Sequence, residues 1–332
     1  MRVEQREVMK KRMGTRTSKA LIILFKIIGV IILAIALFLA VVFTVNWISS
    51  KSEQGKIKPY GQLVPVDGKN MNVTIQGKGE EIVVLLPGYG TAAPALDFKP
   101  LVEELSPFYK VVVIEPFGYG LSDGTEKERS TKNIVNEIHE ALQHLKMDRY
   151  ILMGHSIAGI YGLDYVNKYA NEVRAFVGID SSVPTQFDNK DVEFPIKTVQ
   201  ILKKSGLSRL LMKLGADPYA TLPFDDETKE QMRMLALKNM YNPSTLNEME
   251  HINSNFKTAE HVTFPKNLPL IFFIQANSAD IKDWIPLHEE QVKDSVHGKV
   301  ITLEGGHYLH HTRSKEIVEN VRKFMGEIER GK

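Results

Sequence analysis

Residue types that together perform nucleophilic catalysis occur in the order serine, aspartate, histidine along the chain. Ser156 lies in GHSIAG, where Gly154 and Ala158 leave room for a sharp strand-to-helix turn that exposes the serine. His307, in LEGGHYLHH, is a candidate base that could accept the serine proton and later return it to a leaving group. A serine that only caps a helix is the simpler interpretation.

The carboxylate that would orient His307 has three candidates. Asp280, in FIQANSADIKDW, follows a predicted strand and is the preferred one. Asp283 in the same segment and Asp180, which ends another predicted strand in GIDSS, are the alternatives.

A glycine-rich turn could stabilise the oxyanion that forms when a serine attacks a carbonyl. LLPGYGT places Gly88 and Gly90 around Tyr89. The backbone N–H groups of Tyr89 and of Ile157, which follows the serine at a predicted helix start, are the expected donors. A plain turn is the alternative interpretation of PGYG.

Two further histidines follow His307 closely. We expect His310 and His311 to form surface or cap contacts rather than to bind a metal, because no clear carboxylate pattern accompanies them. The chain has no cysteine, which excludes disulfides, thiol nucleophiles and thiolate metal sites. No metal or organic cofactor is expected.

Short apolar runs rich in β-branched residues predict the strands that would position these groups. They cover residues 62–66, 71–77, 81–87, 110–116, 150–156, 175–180, 271–277 and 299–305. The first two are joined by Asp67 and Gly68, which suit a tight hairpin, and most of the others are continuously apolar, as in a parallel sheet buried on both faces. Helical patterns at 95–106, 130–145, 157–173 and 314–328 alternate with them, which predicts a doubly wound α/β sheet.

The interval from about residue 184 to 265 contains no strand-like run. Four leucines share one helical face at positions 207, 210, 211 and 214, and a second helical pattern covers residues 227–241. We therefore expect a helical cap over the strand ends, with its methionine and leucine face in ordinary packing; a substrate groove is the alternative.

The run from Ile27 to Ile48 is uncharged and long enough for a membrane helix, which needs about 20 apolar residues. Basic residues outnumber acidic ones before it, so the positive-inside rule predicts a cytoplasmic tail (1–26), an anchor (27–48) and an exterior remainder. Trp47 suits an interfacial anchor, and polar residues 49–60 suit a tether. A cleaved signal peptide is less compatible, since its apolar core spans only about 7 to 15 residues.

Composition is that of a globular protein, with 43% hydrophobic and 25% charged residues among 332. The net charge of +2 is too small to suggest nucleic-acid binding.

Residues 60 to 330 resemble the α/β-hydrolase superfamily, because the eight strand patterns, GHSIAG, EPFGYGLSD, the cap and GGHYLHH follow one another in that family's order. The resemblance implies Ser156 as nucleophile, His307 as general base and acid, Asp280 as orienting acid, and Tyr89 and Ile157 as backbone oxyanion donors. Ala158 replaces a commoner glycine, Pro87 a frequent histidine, and Asp280 comes one residue later than usual.

The motifs of other enzymes with this fold make some reactions less compatible with this sequence. Dehalogenases and epoxide hydrolases of this fold use an aspartate where this chain has Ser156, and the Gly-Gly-Ser-Trp-Gly motif typical of proline iminopeptidases is absent. We expect a single-pass, membrane-anchored, bacterial-type serine hydrolase that cleaves a small-molecule carboxylic ester outside the cytoplasm, in a domain covering 61–332. An amidase or aminopeptidase, or a non-catalytic binding protein of the same fold, are the alternatives.

Overall fold

A computed structural model of the chain, which describes residues 2–188, 190–278 and 281–331, places the apolar N-terminal run inside one helix, α1 (Arg2–Gln54). Its part Lys19–Gln54 is long and apolar enough to cross a membrane. The segment predicted as a tether is helical as far as Gln54, since no helix breaker precedes Gly55.

The chain divides into two units. The first consists of Met1–Ser52 with Ile201–Ala216, and the second of Glu53–Gln200 with Asp217–Lys332. The candidate catalytic groups all belong to the second unit.

The predicted sheet is confirmed. Its strands are β1 (Gln62–Val66), β2 (Lys69–Gln76), β3 (Ile82–Leu86), β4 (Lys110–Glu115), β5 (Tyr150–His155), β6 (Val173–Ile179), β7 (Leu270–Gln275) and β8 (Gly298–Leu303). They lie in the order β1-β2-β4-β3-β5-β6-β7-β8, and all neighbours from β4 to β8 are parallel. β1 and β2 form the predicted hairpin, in which Asp67 (φ 49°) and Gly68 (φ 72°) adopt the left-handed geometry of a tight turn.

Helices alternate with most of the strands along the chain and fill the interval between β6 and β7. They are α2 (Pro94–Asp97), α3 (Lys99–Leu105), α4 (Thr131–His144), α5 (Ala158–Lys168), α6 (Ile196–Ser205), α7 (Leu207–Leu214), α8 (Asp226–Asn239), α9 (Pro243–Ala259), α10 (Trp284–Val292), α11 (Leu309–Thr312) and α12 (Ser314–Arg330). The pattern at 95–106 is divided into α2 and α3, because Pro100 lacks the N–H that a continuous helix would need there.

Both faces of the sheet are buried, as the continuous apolar strands predicted. Leu152 of β5 packs on one face among residues of α4 and α5, and its neighbours Ile151 and Met153 pack on the other among residues of α3 and α12. Successive side chains of a strand point to opposite faces, so a strand covered on both sides must be apolar throughout.

The leucine face of α7 is not packed in the core, contrary to the prediction from the sequence. Leu211 is 56% and Leu214 76% exposed, so this face is not part of the core. The helical period alone shows that a face is apolar and does not show what covers it.

Candidate active site

Ser156 stands in the predicted turn between β5 and α5. Its φ of 55° is unfavourable for a residue with a side chain, and the surrounding backbone holds it there. The Ser156 carbonyl accepts hydrogen bonds from the N–H groups of Gly159 (2.9 Å) and Ser182 (2.7 Å). A Cβ at Gly154 would lie 2.9 Å from the Ala158 carbonyl oxygen, which explains the small residues on both sides of the serine.

The loop after β3 touches the serine directly. A Cβ at Gly88 would lie 2.9 Å from Cβ of Ser156 and 2.8 Å from Nδ1 of His155. Among the described residues, the N–H groups of Tyr89 and Ile157 have no hydrogen-bond acceptor. The N–H of Gly90 is already engaged by the hydroxyl of Tyr119 at 3.2 Å. The two donors named from the sequence are therefore the ones available to an oxyanion.

His307 is oriented by Asp180. Nδ1 of His307 lies 2.6 Å from Oδ2 of Asp180. Oδ1 of the same carboxylate accepts hydrogen bonds from the backbone N–H of Gln275 (3.0 Å) and from Nε1 of Trp284 (2.8 Å). Because the fully buried carboxylate acts as an acceptor throughout, Nδ1 carries the proton and Nε2 is left as the basic nitrogen.

This arrangement changes the preferred acid. Asp280, favoured from the sequence, lies outside the described residues, and Asp283 precedes α10 without a hydrogen bond to His307 among the described contacts. Asp180 follows the last residue of β6 directly, whereas Asp280 comes five positions after the end of β7. A carboxylate at the carboxyl edge of the sheet was the signal that would have favoured Asp180.

A buried clamp fixes the segment that carries His307. Nε2 of His310 donates to Oδ2 of Asp97 (2.7 Å) and Nε2 of His311 to Oδ1 (2.9 Å). Nε2 of His155 donates to the backbone carbonyl of His307 (3.1 Å). The surface or cap contacts expected for His310 and His311 were wrong, because both side chains are buried against Asp97. Asp97 was not foreseen as their partner because it lies more than two hundred positions earlier in the chain.

The pKa values of the clamp favour an ionised Asp97 beside a neutral His310. Burial raises the pKa of Asp97, but its interactions with His310 and His311 outweigh burial and hold it well below its ordinary value. Burial lowers the pKa of His310, and it lowers the pKa of His155 well below the ordinary value.

The same three side chains contain a possible set of metal ligands. One ligand atom from each of Asp97, His310 and His311 lies within 4.8 Å of the others. A metal on Nε2 of His310 would leave the proton on Nδ1, which is buried and has no partner among the described residues. Metal-bound histidines almost always donate that second N–H to an acceptor. The hydrogen-bonded clamp therefore fits the site better than a metal centre does.

Helix α9 supports the loop that follows β3. Oε2 of Glu248 accepts a hydrogen bond from Tyr119 (2.8 Å), whose hydroxyl in turn holds Gly90, and Oε1 accepts one from Tyr161 (2.7 Å). The hydroxyl of Tyr89 donates to the carbonyl of Thr245 at 3.0 Å. Burial raises the pKa of Glu248 and, together with the Glu248 charge, raises that of Tyr119 well above its ordinary value. Tyr119 therefore remains a donor to Glu248 at neutral pH.

A cavity of about 440 Å³ opens beside His307. Its lining includes Gly90, Thr91, Leu222, Met232, Met240 and Tyr308. A mostly apolar cavity of this size can hold a small organic ligand.

Comparisons with known proteins agree with this architecture. A family model described as "alpha/beta hydrolase fold" matches residues 81–233. The uncharacterized protein YbdG of Bacillus subtilis is 28% identical over 254 residues, which cover 74% of this chain and 78% of that protein. A 2-(acetamidomethylene)succinate hydrolase of Mesorhizobium japonicum is 28% identical over 110 residues, which cover 33% of this chain and 38% of that enzyme.

Among solved structures, an epoxide hydrolase of Vigna radiata superposes with a TM-score of 0.62 over 81% of this chain and 98% of the enzyme. At 18% identity this likeness concerns the fold alone. The family match and the eight-stranded sheet, with a serine at the strand-to-helix turn after β5, show that the chain has the α/β-hydrolase fold.

Proposed function

We propose that this hydrolase cleaves carboxylic esters through an acyl-enzyme on Ser156, with His307 as general base and acid and Asp180 as the orienting carboxylate. The observation that carries the proposal is the 2.6 Å contact between Nδ1 of His307 and buried Asp180, at the sheet edge where Ser156 is held at positive φ.

The reaction proceeds in two halves. Oγ of Ser156 attacks the ester carbonyl while Nε2 of His307 takes its proton, and the oxyanion accepts hydrogen bonds from the N–H groups of Tyr89 and Ile157. The tetrahedral intermediate then collapses, which breaks the bond between the acyl carbon and the alcohol oxygen, and the alcohol leaves with the proton from His307. Water then attacks the acyl-enzyme, gives a proton to His307, and frees the acid as Ser156 recovers its hydrogen.

The second part of the proposal concerns location. Helix α1 would cross the membrane through residues 27–48, with its basic end in the cytoplasm and the catalytic unit outside. Nζ of Lys51 lies 4.1 Å from the ring centre of Trp47, an aromatic and basic pair that suits the outer headgroup region.

A pair of substrate series tests the reaction. The full chain in membrane vesicles is given nitrophenyl esters of increasing acyl length and nitroanilides with the same acyl groups, with Ser156→Ala in matched vesicles as the control. We expect ester hydrolysis that the control lacks. Faster turnover of the anilides would instead assign an amidase, and equal rates for both proteins would contradict a serine mechanism.

A further inference from the structure

The unit that contains the N-terminal helix also contains a short apolar surface, Ile201–Ala216, formed by the end of α6 and by α7. Within it, Ile201 is 65%, Leu211 56% and Leu214 76% exposed. Monomeric soluble proteins rarely expose large contiguous apolar patches, and those that they do expose are often functional.

This surface is held against α1 at one level of that helix. Gly206 adopts φ 81°, and a Cβ there would lie 2.6 Å from Cβ of Asn46 and 3.2 Å from the carbonyl oxygen of Val42. The buried side chain of Arg209 donates from Nε to Oδ1 of Asn46 (2.9 Å) and from Nη2 to Oγ of Ser50 (2.9 Å).

The level of these contacts falls inside the apolar run. That run ends at Ile48, and a helix rises about 1.5 Å per residue, so Val42 lies about 9 Å inward from its end. Amphipathic helices that lie in a membrane interface bury their apolar face about 5–10 Å deep. Residues packed between Val42 and Ser50 would therefore occupy the interface of a bilayer that α1 crosses.

The charge of the surface suits the same environment. Residues 201–216 contain Lys203, Lys204, Arg209 and Lys213 and no acidic residue. On a helical projection, the exposed Lys213 lies on the side of α7 away from Leu211, whereas Arg209 is buried and bonded to α1. An exposed basic side chain opposite an aliphatic one is typical of helices that bind at anionic lipid surfaces.

We infer that Ile201–Ala216 is a second lipid-binding element, which lies in the membrane interface beside the anchor with Leu211 and Leu214 among the acyl chains. The inference rests on the proposed membrane anchor. It adds a helix from the interval between β6 and β7 to the membrane-bound part of the chain.

Depth-dependent quenching tests the inference in the full chain. Because the chain has no cysteine, Leu211→Cys, Leu214→Cys, Lys213→Cys and Leu37→Cys each provide one thiol for an environment-sensitive fluorophore. The proteins are reconstituted in phosphatidylcholine and phosphatidylglycerol vesicles, with and without lipids that carry a spin label near the headgroup. We expect blue-shifted, strongly quenched emission at positions 211 and 214, and weaker quenching at 213.

Comparison of the labelled positions distinguishes failure of the inference from failure of the proposed anchor. Quenching of a label at 37 by lipids spin-labelled near the bilayer centre, without quenching at 211 and 214, would overturn the inference and leave the anchor in place. No quenching at any position would overturn both. Blue-shifted but unquenched emission at the leucines would mean that protein covers the surface, and equal quenching at 211, 213 and 214 would contradict the proposed orientation.

Discussion

Asp180 receives three hydrogen bonds on two buried oxygens, and one of them fixes the tautomer of His307. Asp180→Asn keeps the shape of the side chain but replaces an acceptor oxygen by an N–H group, which would face one of the donors that now bind Asp180. We therefore expect kcat to fall on the order of 10³–10⁴-fold, with a smaller change in KM. Ester hydrolysis by this variant and by Asp280→Asn, which we expect to remain active, measures the effect. The reverse order of activities would restore Asp280 as the acid.

Gly88 leaves no room for a side chain beside the nucleophile. Gly88→Ala places a methyl group within 3 Å of both Ser156 and His155, so the serine or the oxyanion loop must shift. We expect kcat to fall by about 100-fold, the loss typical of a misplaced catalytic group. Gly326→Ala, where a Cβ meets nothing within 4 Å, is the matched control and should keep full activity. A fully active Gly88→Ala protein would contradict the placement of this loop.

The sequence singled out Ser156 and His307 as candidates because each lies in a short segment whose glycines predict the required turn. It did not favour Asp180, since two strand ends carry carboxylates, and the contact of Asp180 with His307 depends on how the sheet packs. Asp97 and Glu248 were missed for a related reason: each acts through partners that are distant in sequence.

At the scale of elements, α2 is joined to α11 by the clamp from Asp97 to His310 and His311. The lowered pKa of buried His310 means that the folded protein binds its proton only below the unfolded value of about 6.5. The stability that His310 contributes is therefore complete above that pH and is lost as the pH falls through and below it.

Chemical unfolding of the wild type and of His310→Gln measures this loss. We expect the variant to be less stable at about pH 7, and the difference to shrink by up to about 1.4 kcal/mol per pH unit toward pH 5. The buried carboxylates Glu115 and Glu248, whose pKa values are raised, are present in both proteins and cancel from the difference. A difference that does not change with pH would contradict a neutral, buried His310.

The strands and the helices between them could be predicted from the spacing of apolar residues and from composition. Strands of a sheet that is buried on both faces must be almost continuously apolar, which makes them easy to recognise in the sequence. The interval between β6 and β7 was less predictable. Helix α9 buries Glu248 and Asn255 through hydrogen bonds, so its sequence lacks a clean apolar stripe, and α7 has such a stripe but leaves it outside the core.

In the proposed orientation of the whole molecule, the N-terminus lies in the cytoplasm and the catalytic unit lies outside. Lys10→Cys and Glu319→Cys, both at exposed positions, provide single thiols on either side of residues 27–48. In intact cells, we expect a membrane-impermeant maleimide to label position 319, and position 10 only after permeabilisation. Equal labelling of both in intact cells, or the reverse order, would contradict the orientation.

Labelling by a fluorophosphonate tests whether Ser156 is the nucleophile. The full chain in its membrane is treated with the probe, digested and sequenced by mass spectrometry, with Ser156→Ala and Asp180→Asn in parallel. We expect one modified residue, Ser156, with no labelling in the first variant and slower labelling in the second. A folded wild-type protein in which Ser156 stays unmodified would contradict the role of Ser156 as nucleophile.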